Sequence, residues 1–519
     1  MPTEATAPAR RPRAEPWLWF ALTSALYLGA GCWLLSNDLI FPDALSRVAN
    51  GYYVLFSRDP HLAAIGFVWN PLPSLATLPL LAFSPWIPAL AGLGAAGTVV
   101  SALCGGGCVA LLAVMLRELG VTSAWARGLL TGLFAVQALV VLGAATGASE
   151  AMLLLTCFYT ALHLLRWLRE ADTWSLVHVG TGLGLAYLTR YEAAAPAIAV
   201  VGLVFVVSVA RASAQRWSYG VNDAALAGLP FAAAALGWAV TSKVIVGTWF
   251  ATFTSQYGNS AQVTSGQTSI ESVTGSGLVA RTLYLSEQLV HLAPLALPAT
   301  LAALMVAWVR REPGPLAAVA VFGAVLAFDD LTFLWGSSFG WIRLQMAAIP
   351  LGYLALGYLL AAARRRWLTC VLVLALAVTT PLGWLAEANP RLGREETLAR
   401  EVAAAGQYPM QRAVATDLDD VSPADGSIIT DVAYSFPVFL ASRHPHSYVI
   451  TTDRDFQEAL ADPAAAGVTY ALLASPQNSP SDAVELAYPG MFENGAGVAT
   501  LTAQWQDARG TTWRLYRFA

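Results

Sequence analysis

Between residues 17 and 386 the chain is a succession of apolar blocks separated by short polar joints, whereas residues 387–519 alternate polar and apolar positions like a soluble domain. Each block is long enough to cross ~30 Å of hydrocarbon, which takes about 20 residues of helix. The pattern predicts about eleven transmembrane helices, near 17–36, 92–116, 124–143, 151–168, 175–190, 193–210, 224–243, 288–309, 316–335, 344–363 and 367–386. Two joints are long. In the first, about 37–91, the stretches Asp43–Ser57 and Pro71–Phe83 are amphipathic and read as helices lying at the interface rather than spanning it. The second, about 244–287, is rich in Ser, Thr, Gly and Gln and reads as a mobile loop able to cover a site. In the tail, Ser427–Asp431, Ser447–Thr451 and Val468–Ala474 read as buried strands. Asp455–Ala466 and Ser481–Phe492 read as helices, and Val498–Trp505 with Thr511–Phe518 as a terminal hairpin. The fold class is therefore a polytopic α-helical membrane protein, residues 1–386, with a C-terminal soluble α/β domain, residues 387–519. The tail's sheet is close to doubly wound.

Composition agrees with this division. Apolar residues make up 56% and charged residues 12% of the chain, against about 25% charged in a soluble protein. The formal charge of −4 conceals two halves. Residues 1–386 carry 20 basic and 16 acidic side chains, and residues 387–519 carry 9 and 17. No basic patch points to nucleic acid. Lys243 is the one lysine; with the Ala and Gly richness, the arginine bias suggests a GC-rich bacterial genome. The five cysteines all lie in apolar stretches, so no disulfide framework is implied. Cys104 and Cys108 share a helical face but lack His or acidic company, and read as packing rather than metal ligands. Arg10, Arg11 and Arg13 precede an apolar run too long for a signal core, so the first helix reads as uncleaved.

Charge also orients the helices. With the N-terminus inside, 14 of the 20 basic residues before 387 fall on inner loops, among them Arg117, Arg127, Arg166, Arg169, Arg310, Arg311 and Arg364–Arg366. That satisfies the positive-inside rule, and an odd number of helices then places the tail outside. The expected location is a bacterial cytoplasmic (inner) membrane.

Charged groups at the outer helix ends are expensive and need a reason. The first outer loop carries Asn37, Asp38, Asp43, Arg47, Arg58, Asp59, His61, Trp69 and Asn70, and a short outer joint carries Ser149-Glu150. Arg190-Tyr191-Glu192 forms the turn after the fifth helix, Asp329-Asp330 ends the ninth, and Arg343 precedes the tenth. Arg190 follows an apolar run short for a full span, so it lies below the outer surface and needs an anion, either Glu192 or a phosphate ligand. Asp43 is either a helix N-cap or a general base at the membrane surface; Asp38 competes for the second role. Glu150 either caps its helix or orients an acceptor. Asp329 and Asp330 read as solvated carboxylates more readily than as metal ligands. No cofactor is expected; a divalent metal is conceivable at these acids but is not predicted.

Phe41-Pro42-Asp43-Ala44-Leu45 through Asn70-Pro71-Leu72-Pro73 resembles the first outer loop of the GT-C glycosyltransferases. These include the protein O-mannosyltransferases and the aminoarabinose transferase of lipid A. Gly182-Leu183-Gly184-Leu185-Ala186-Tyr187-Leu188-Thr189-Arg190-Tyr191 resembles their GLALLTKYT segment with Arg for Lys. Ser149-Glu150 stands where they carry a second acid, and Arg343 through Ile349-Pro350 resembles their late Arg-x-x-x-Pro helix start. The resemblance covers residues 17–386 in order. It departs at Ala44, where many members have a second acid, and at Arg190, where the charge is kept but the phosphate geometry changes.

The resemblance implies an inverting glycosyltransferase that moves a sugar from a polyprenyl-phosphate donor to a glycan, lipid or protein acceptor at the outer surface. In that reading Asp43 is the base, Glu150 positions the acceptor, and Arg190, Arg343 and Arg58 hold the donor phosphate. Asp38, His61, Trp69, Asn70, Tyr191, Glu192, Asp329 and Asp330 line the substrates. Two rival readings fit some of the residues. A lipid or glycan transporter would also bury arginines, but should show repeats and broken helices in matching halves, and the sequence displays neither. A non-catalytic membrane partner would use the tail to recruit others.

Overall fold

A computed structural model describes residues 14–363, 366–420 and 423–519. Arg10, Arg11, Arg13, Arg364 and Arg365 of the inner-loop argument lie outside the described residues. Among those described, eight helices are long and apolar enough to cross a membrane: Ala14–Ser36, Ala95–Glu118, Glu150–Glu170, Tyr191–Arg211, Arg216–Val246, Gly314–Leu334, Ile342–Ala363 and Cys370–Ala388. Two more regions expected as single spans are bent. Ala124–Ala135 and Ala138–Ala145 meet at 61°, and Gly277–Leu292 and Ala296–Arg310 at 79°. Counting each bent pair once gives ten. The region expected at 175–190 is the helix Thr173–Thr189, 17 residues, about 26 Å at 1.5 Å per residue and at the lower limit for a membrane crossing. Counted with the other ten it makes eleven, the odd number that puts the two ends of the chain on opposite sides.

Small residues let the first two spans approach closely. A Cβ on Gly105 would sit 3.0 Å from the Tyr27 ring, and one on Gly106 would sit 2.9 Å from the Phe20 carbonyl oxygen. Tyr27 is fully buried there and donates from its hydroxyl to the Ala135 carbonyl at 2.9 Å. The two helix breaks meet in the middle of the bundle. Gln137 caps the second half of one pair, and its Nε2 donates to Tyr353 Oη at 3.0 Å and Thr380 Oγ1 at 3.2 Å. Leu292–Ala296 of the other break lie beside it around a cavity of about 20 Å³.

The outer joints are ordered. Asp43–Ser57 forms the helix Pro42–Phe56 and Pro71–Phe83 the helix Leu72–Leu81. The expected loop 244–287 is instead helical: Ala251–Thr254, Asn259–Thr274 and Gly277–Leu292. Its Ser and Thr hydroxyls bond back to carbonyls one turn earlier, as Thr264 Oγ1 does to Ser260 at 2.8 Å, so a polar sequence still closes its backbone into helix.

The tail holds a five-stranded sheet: β1 Ile428–Thr430, β2 Tyr448–Ile450, β3 Tyr470–Ala474, β4 Ala499–Gln506 and β5 Thr512–Phe518, in the order β2-β1-β3-β5-β4. β1 is parallel to β2 and β3; β5 runs antiparallel to β3 and β4. The expected helix Ser481–Phe492 is two short pieces, Ala483–Ala487 and Met491–Asn494, split by Gly490 at φ +83°.

Successive strand residues face opposite sides, and both sides are covered. Ile428, Tyr448, Ile450 and Leu472 join one core, and Ile429, Val449 and Leu473 the other. The first core also contains Leu45, Val48, Ala49, Tyr52 and Tyr53 of the interfacial helix Pro42–Phe56. The Tyr53 and Phe439 rings meet edge-on at 5.2 Å. Each such side chain contributes about 1.5–3 kcal/mol on burial. The tail therefore shares its core with the helix that carries Asp43.

Candidate active site

Asp43 and Arg47 lie one turn apart, on one face of the interfacial helix, and the core residues Leu45 and Val48 lie on its other side. Phe41 is the N-cap and Pro42 fills the first turn. Asp43 is thus not the cap, and its carboxylate is free to reach elsewhere: Oδ2 accepts from Arg343 Nη2 at 2.6 Å. Arg343 sits in the 3₁₀ turn Ile342–Ala347 that opens the next span.

Arg190 is placed by a helix end. Thr173–Thr189 stops there because Arg190 adopts extended backbone, φ −153° and ψ 142°, before a 3₁₀ turn starts the next helix. The reversal aims its guanidinium at two buried carboxylates, Glu150 at 2.6 Å and Glu192 at 2.5 Å. Arg343 Nη1 also lies 3.3 Å from Glu150.

These groups surround a cavity of about 360 Å³. Asp43, Trp69, Asn70, Arg190, Tyr191, Glu192, Asp329 and Arg343, all named from sequence, line it. Glu150 stands just behind, between Arg190 and Arg343. The polar helix Asn259–Thr274 covers one side through Asn259, Ser260 and Gln262. The loop expected to cover a site does so, as a helix.

Four expected site residues are elsewhere. Arg58 pairs with Asp455 and, at 3.4 Å, Asp453 of the tail. Asp38 takes both Nη atoms of Arg412, at 2.9 and 3.1 Å. His61 sits against Asp59, which is itself held by Arg454. These pairs fasten the tail to the first outer loop. Asp330 turns away from its neighbour Asp329 and accepts from Gln345 Nε2 at 2.7 Å, so the two do not form a metal pair. Among the described residues no cluster of three or more His, Cys, Asp or Glu could hold a metal ion.

Sequence reasoning gave no role to two residues that the cavity shares. Arg47 is 5% exposed, lies 4.6 Å over the Trp69 ring, and makes no ion pair or hydrogen bond among the described residues. Burial brings its guanidinium down to about 10, so it stays charged at neutral pH. Its helical spacing from Asp43 is the signal that could have found it. Glu395, in the helix Arg394–Ala404 after the last span, lies 2.9 Å from Arg343 Nε and lines the cavity with Leu398 and Val402. The acidic first turn Glu395-Glu396 reads from sequence as complementing the helix dipole, which hides it.

The electrostatics separate Asp43 from Glu395, two of the four carboxyls that line the cavity. Burial would raise Asp43, but Arg343 and then Arg47 outweigh it and hold the carboxyl below its usual range. Burial pushes Glu395 up to about 8 despite Arg343. The site thus joins an ionised carboxylate, an unpaired buried guanidinium and a carboxyl that burial holds well above the usual carboxylate range.

The tail accordingly contributes to the site, through Glu395 and through the core it shares with the Asp43 helix. Ending the chain near Glu387 would remove Glu395 and strip the apolar face of the Asp43 helix. Such a truncation, isolated folded, should retain none of the full-length protein's turnover; transfer at a tenth or more of its rate would show that the tail is dispensable.

No protein-family model matches the chain, and no curated protein sequence does. Among solved structures it is similar to ArnT from Cupriavidus metallidurans bound to undecaprenyl phosphate, with TM-score 0.53 at 13% identity over 97% of this chain and 98% of that one. The apo form of the same protein gives 0.51 with the same identity and coverage. At that identity the likeness speaks to architecture. The chain has, over nearly its whole length, the fold of ArnT.

Proposed function

We propose that the protein is an inverting glycosyltransferase that moves a sugar from a polyprenyl-phosphate donor to an acceptor hydroxyl at the outer face of a bacterial inner membrane. The observation that carries this reading is Arg47. Every other arginine at the cavity already has carboxylate partners: Arg190 has Glu150 and Glu192, and Arg343 has Asp43, Glu150 and Glu395. A buried cation without one is costly and calls for an anion from outside the chain. The undecaprenyl phosphate bound by the structurally similar ArnT is an anion of the suitable class.

In this mechanism Asp43 accepts the proton of the acceptor hydroxyl. The oxygen attacks the anomeric carbon from the face opposite the lipid phosphate, so configuration inverts. The bond from the anomeric carbon to phosphate oxygen breaks, and its electron pair leaves on the phosphate. Arg47 holds the charge that develops there, with Arg343 and Arg190 at its flank. Trp69, Asn70, Tyr191 and the polar side chains of the covering helix surround the sugar and the acceptor, which is a glycan, a lipid or a protein.

The bent helix pairs would favour a transporter, since broken helices mark substrate sites in that class. The space between the breaks is about 20 Å³, near one water's share, too small for a sugar or lipid headgroup. The transferase reading stands on the large cavity instead.

Purified protein in nanodiscs, offered a panel of polyprenyl-phosphate sugars, tests the proposal. Transfer or donor hydrolysis is expected with at least one; no binding and no turnover with any would refute it. Arg47→Ala should weaken donor binding at least ~10-fold, about the 1.4 kcal/mol expected for one charge-assisted contact. An unchanged donor Kd would remove Arg47 from the phosphate site. The same reading requires the N-terminus inside and residue 519 outside. A C-terminal reporter active only in the cytoplasm would leave the cavity on the wrong side for an outer-surface acceptor.

A further inference from the structure

We infer that Glu395 is a positioning residue for Asp43, acting through the Arg343 guanidinium that the two carboxyls share. The inference rests on the reading of Asp43 as the base. Arg343 spreads its N–H groups over three acids rather than forking onto one: Nη2 to Asp43 at 2.6 Å, Nη1 towards Glu150 at 3.3 Å and Nε towards Glu395 at 2.9 Å. A guanidinium binds one carboxylate best with two parallel N–H groups. Here the grip on Asp43 is a single contact, and its strength depends on what the other two acids take.

Glu150 does not vary, because Arg190 already holds it at 2.6 Å. Glu395 has no cation within ion-pair distance other than Arg343 among the described residues. It contacts Arg343 Nε without the alignment of a hydrogen bond, and that nitrogen is buried with no other partner. The charged groups that face Glu395 are Arg343 from the 3₁₀ turn, Asp43 from the interfacial helix, Glu396 from its own helix, Glu150, and Glu387 from the end of the last span. Of these only Arg343 favours its ionised form.

The consequence follows from competition for one cation. With Glu395 protonated, Arg343 leans on Asp43 and keeps its carboxylate a weak base. When Glu395 ionises, it draws on Arg343 and adds a like charge near Asp43. Both effects raise the affinity of Asp43 for the acceptor's proton. Burial sets that ionisation at about 8, so turnover should rise as pH passes through that value. The tail, which supplies Glu395, thereby tunes chemistry carried out on the first outer loop.

The test is sugar transfer and donor binding by the full-length protein in nanodiscs between about pH 6 and 9, where a single essential ionisation shows as a limb in the rate. Wild type should show a limb near pH 8. Glu395→Gln should abolish the limb and lower kcat at the upper end about 10-fold or more, with donor Kd unchanged. Glu395→Asp should restore the limb. A Gln variant that keeps the wild-type kcat and limb overturns the inference. So does one that loses donor binding together with turnover, because a packing role alone explains that. Wild-type protein inert towards every polyprenyl donor would defeat the transferase reading instead. The Arg343 bridge is then read by infrared titration, where the carboxylic-acid carbonyl band lost near pH 8 in wild type should be missing from Glu395→Gln. Its persistence in the variant would place that titration on another residue.

Discussion

Asp43→Asn should lower sugar transfer by about 10²–10⁴-fold, the usual cost of removing a general base, while donor binding stays within about twofold. Asparagine keeps the shape of the side chain and can still accept from Arg343 through its amide oxygen, but it cannot take a proton at neutral pH. The helix should be undisturbed, since Phe41 and not Asp43 occupies the cap. Its apolar face stays buried in the shared core through Leu45, Val48 and Tyr53. Arg343 keeps Glu150 and Glu395 as partners. The expected signature is therefore a fall in kcat in a protein of normal thermal stability. Steady-state kinetics with a saturating donor measure the fall, and a direct titration of donor measures the affinity. Turnover near wild type would move the base to another carboxyl on the cavity, and Glu395 would be the first to examine, since it shares both the cavity and Arg343. Asp38, the competing candidate from sequence, is bound on both oxygens by Arg412, so it has no free edge to offer an acceptor.

What the sequence made legible, and what it did not, divides along a physical line. Hydrophobic period and length are properties of contiguous residues. They located most of the apolar spans, the amphipathic helix Pro42–Phe56 and every strand of the tail to within a few residues, but not the tail helices Arg394–Ala404, Gln407–Asp420 and Val432–Ala441. The kinks at 136–137 and 293–295 were not visible, because a break stabilised by Gln137 bonding to Tyr353 and Thr380 depends on helices far along the chain. The Ser- and Thr-rich region 251–274 read as loop because its propensity is weak. Packing over the cavity and against Phe339 and Phe67 orders it as helix.

Cost also guided the reading of the site. Charges at outer helix ends led to Asp43, Glu150, Arg190, Asp329 and Arg343, which the fold brings together. The same rule selected Asp38 and Arg58, which prove to be expensive for another reason: they are satisfied by Arg412 and by Asp453 and Asp455 of a domain that begins hundreds of residues later. Arg47 stood among the outer-loop charges but received no role, for the converse reason. Inside an amphipathic helix an arginine looks like part of the solvated face, and only the tertiary structure shows that its face is roofed by Trp69.

Arg190→Ala should act chiefly on stability, lowering it by about 3–5 kcal/mol, the usual effect of breaking a buried ion pair from one side. The sequence left two anions open for this arginine, Glu192 or a ligand phosphate, and the geometry weighs against the second as its main partner. Glu150 and Glu192 are 6% and 5% exposed at the side chain, and each presents one oxygen to Arg190 while the other is buried without a hydrogen bond. Two carboxylates already surround one guanidinium, so a phosphate added there would meet two negative charges. Removing the arginine leaves both acids buried and uncompensated, and it frees Glu150 to draw Arg343 away from Asp43. Arg190→Lys should fall between, because lysine restores the charge but not the planar fork that reaches both acids. Adding Glu192→Gln to Arg190→Ala should recover part of the loss, since one unpaired charge is then gone. Thermal unfolding in nanodiscs reads these differences, and donor titration of the folded fraction reads the rest. An Arg190→Ala protein of wild-type stability whose donor affinity collapses would return this residue to the phosphate site and leave Arg47 as its helper. Loss of stability with donor affinity kept within a few-fold would fix Arg190 as the strut that holds Glu150 and Glu192 behind the reacting groups.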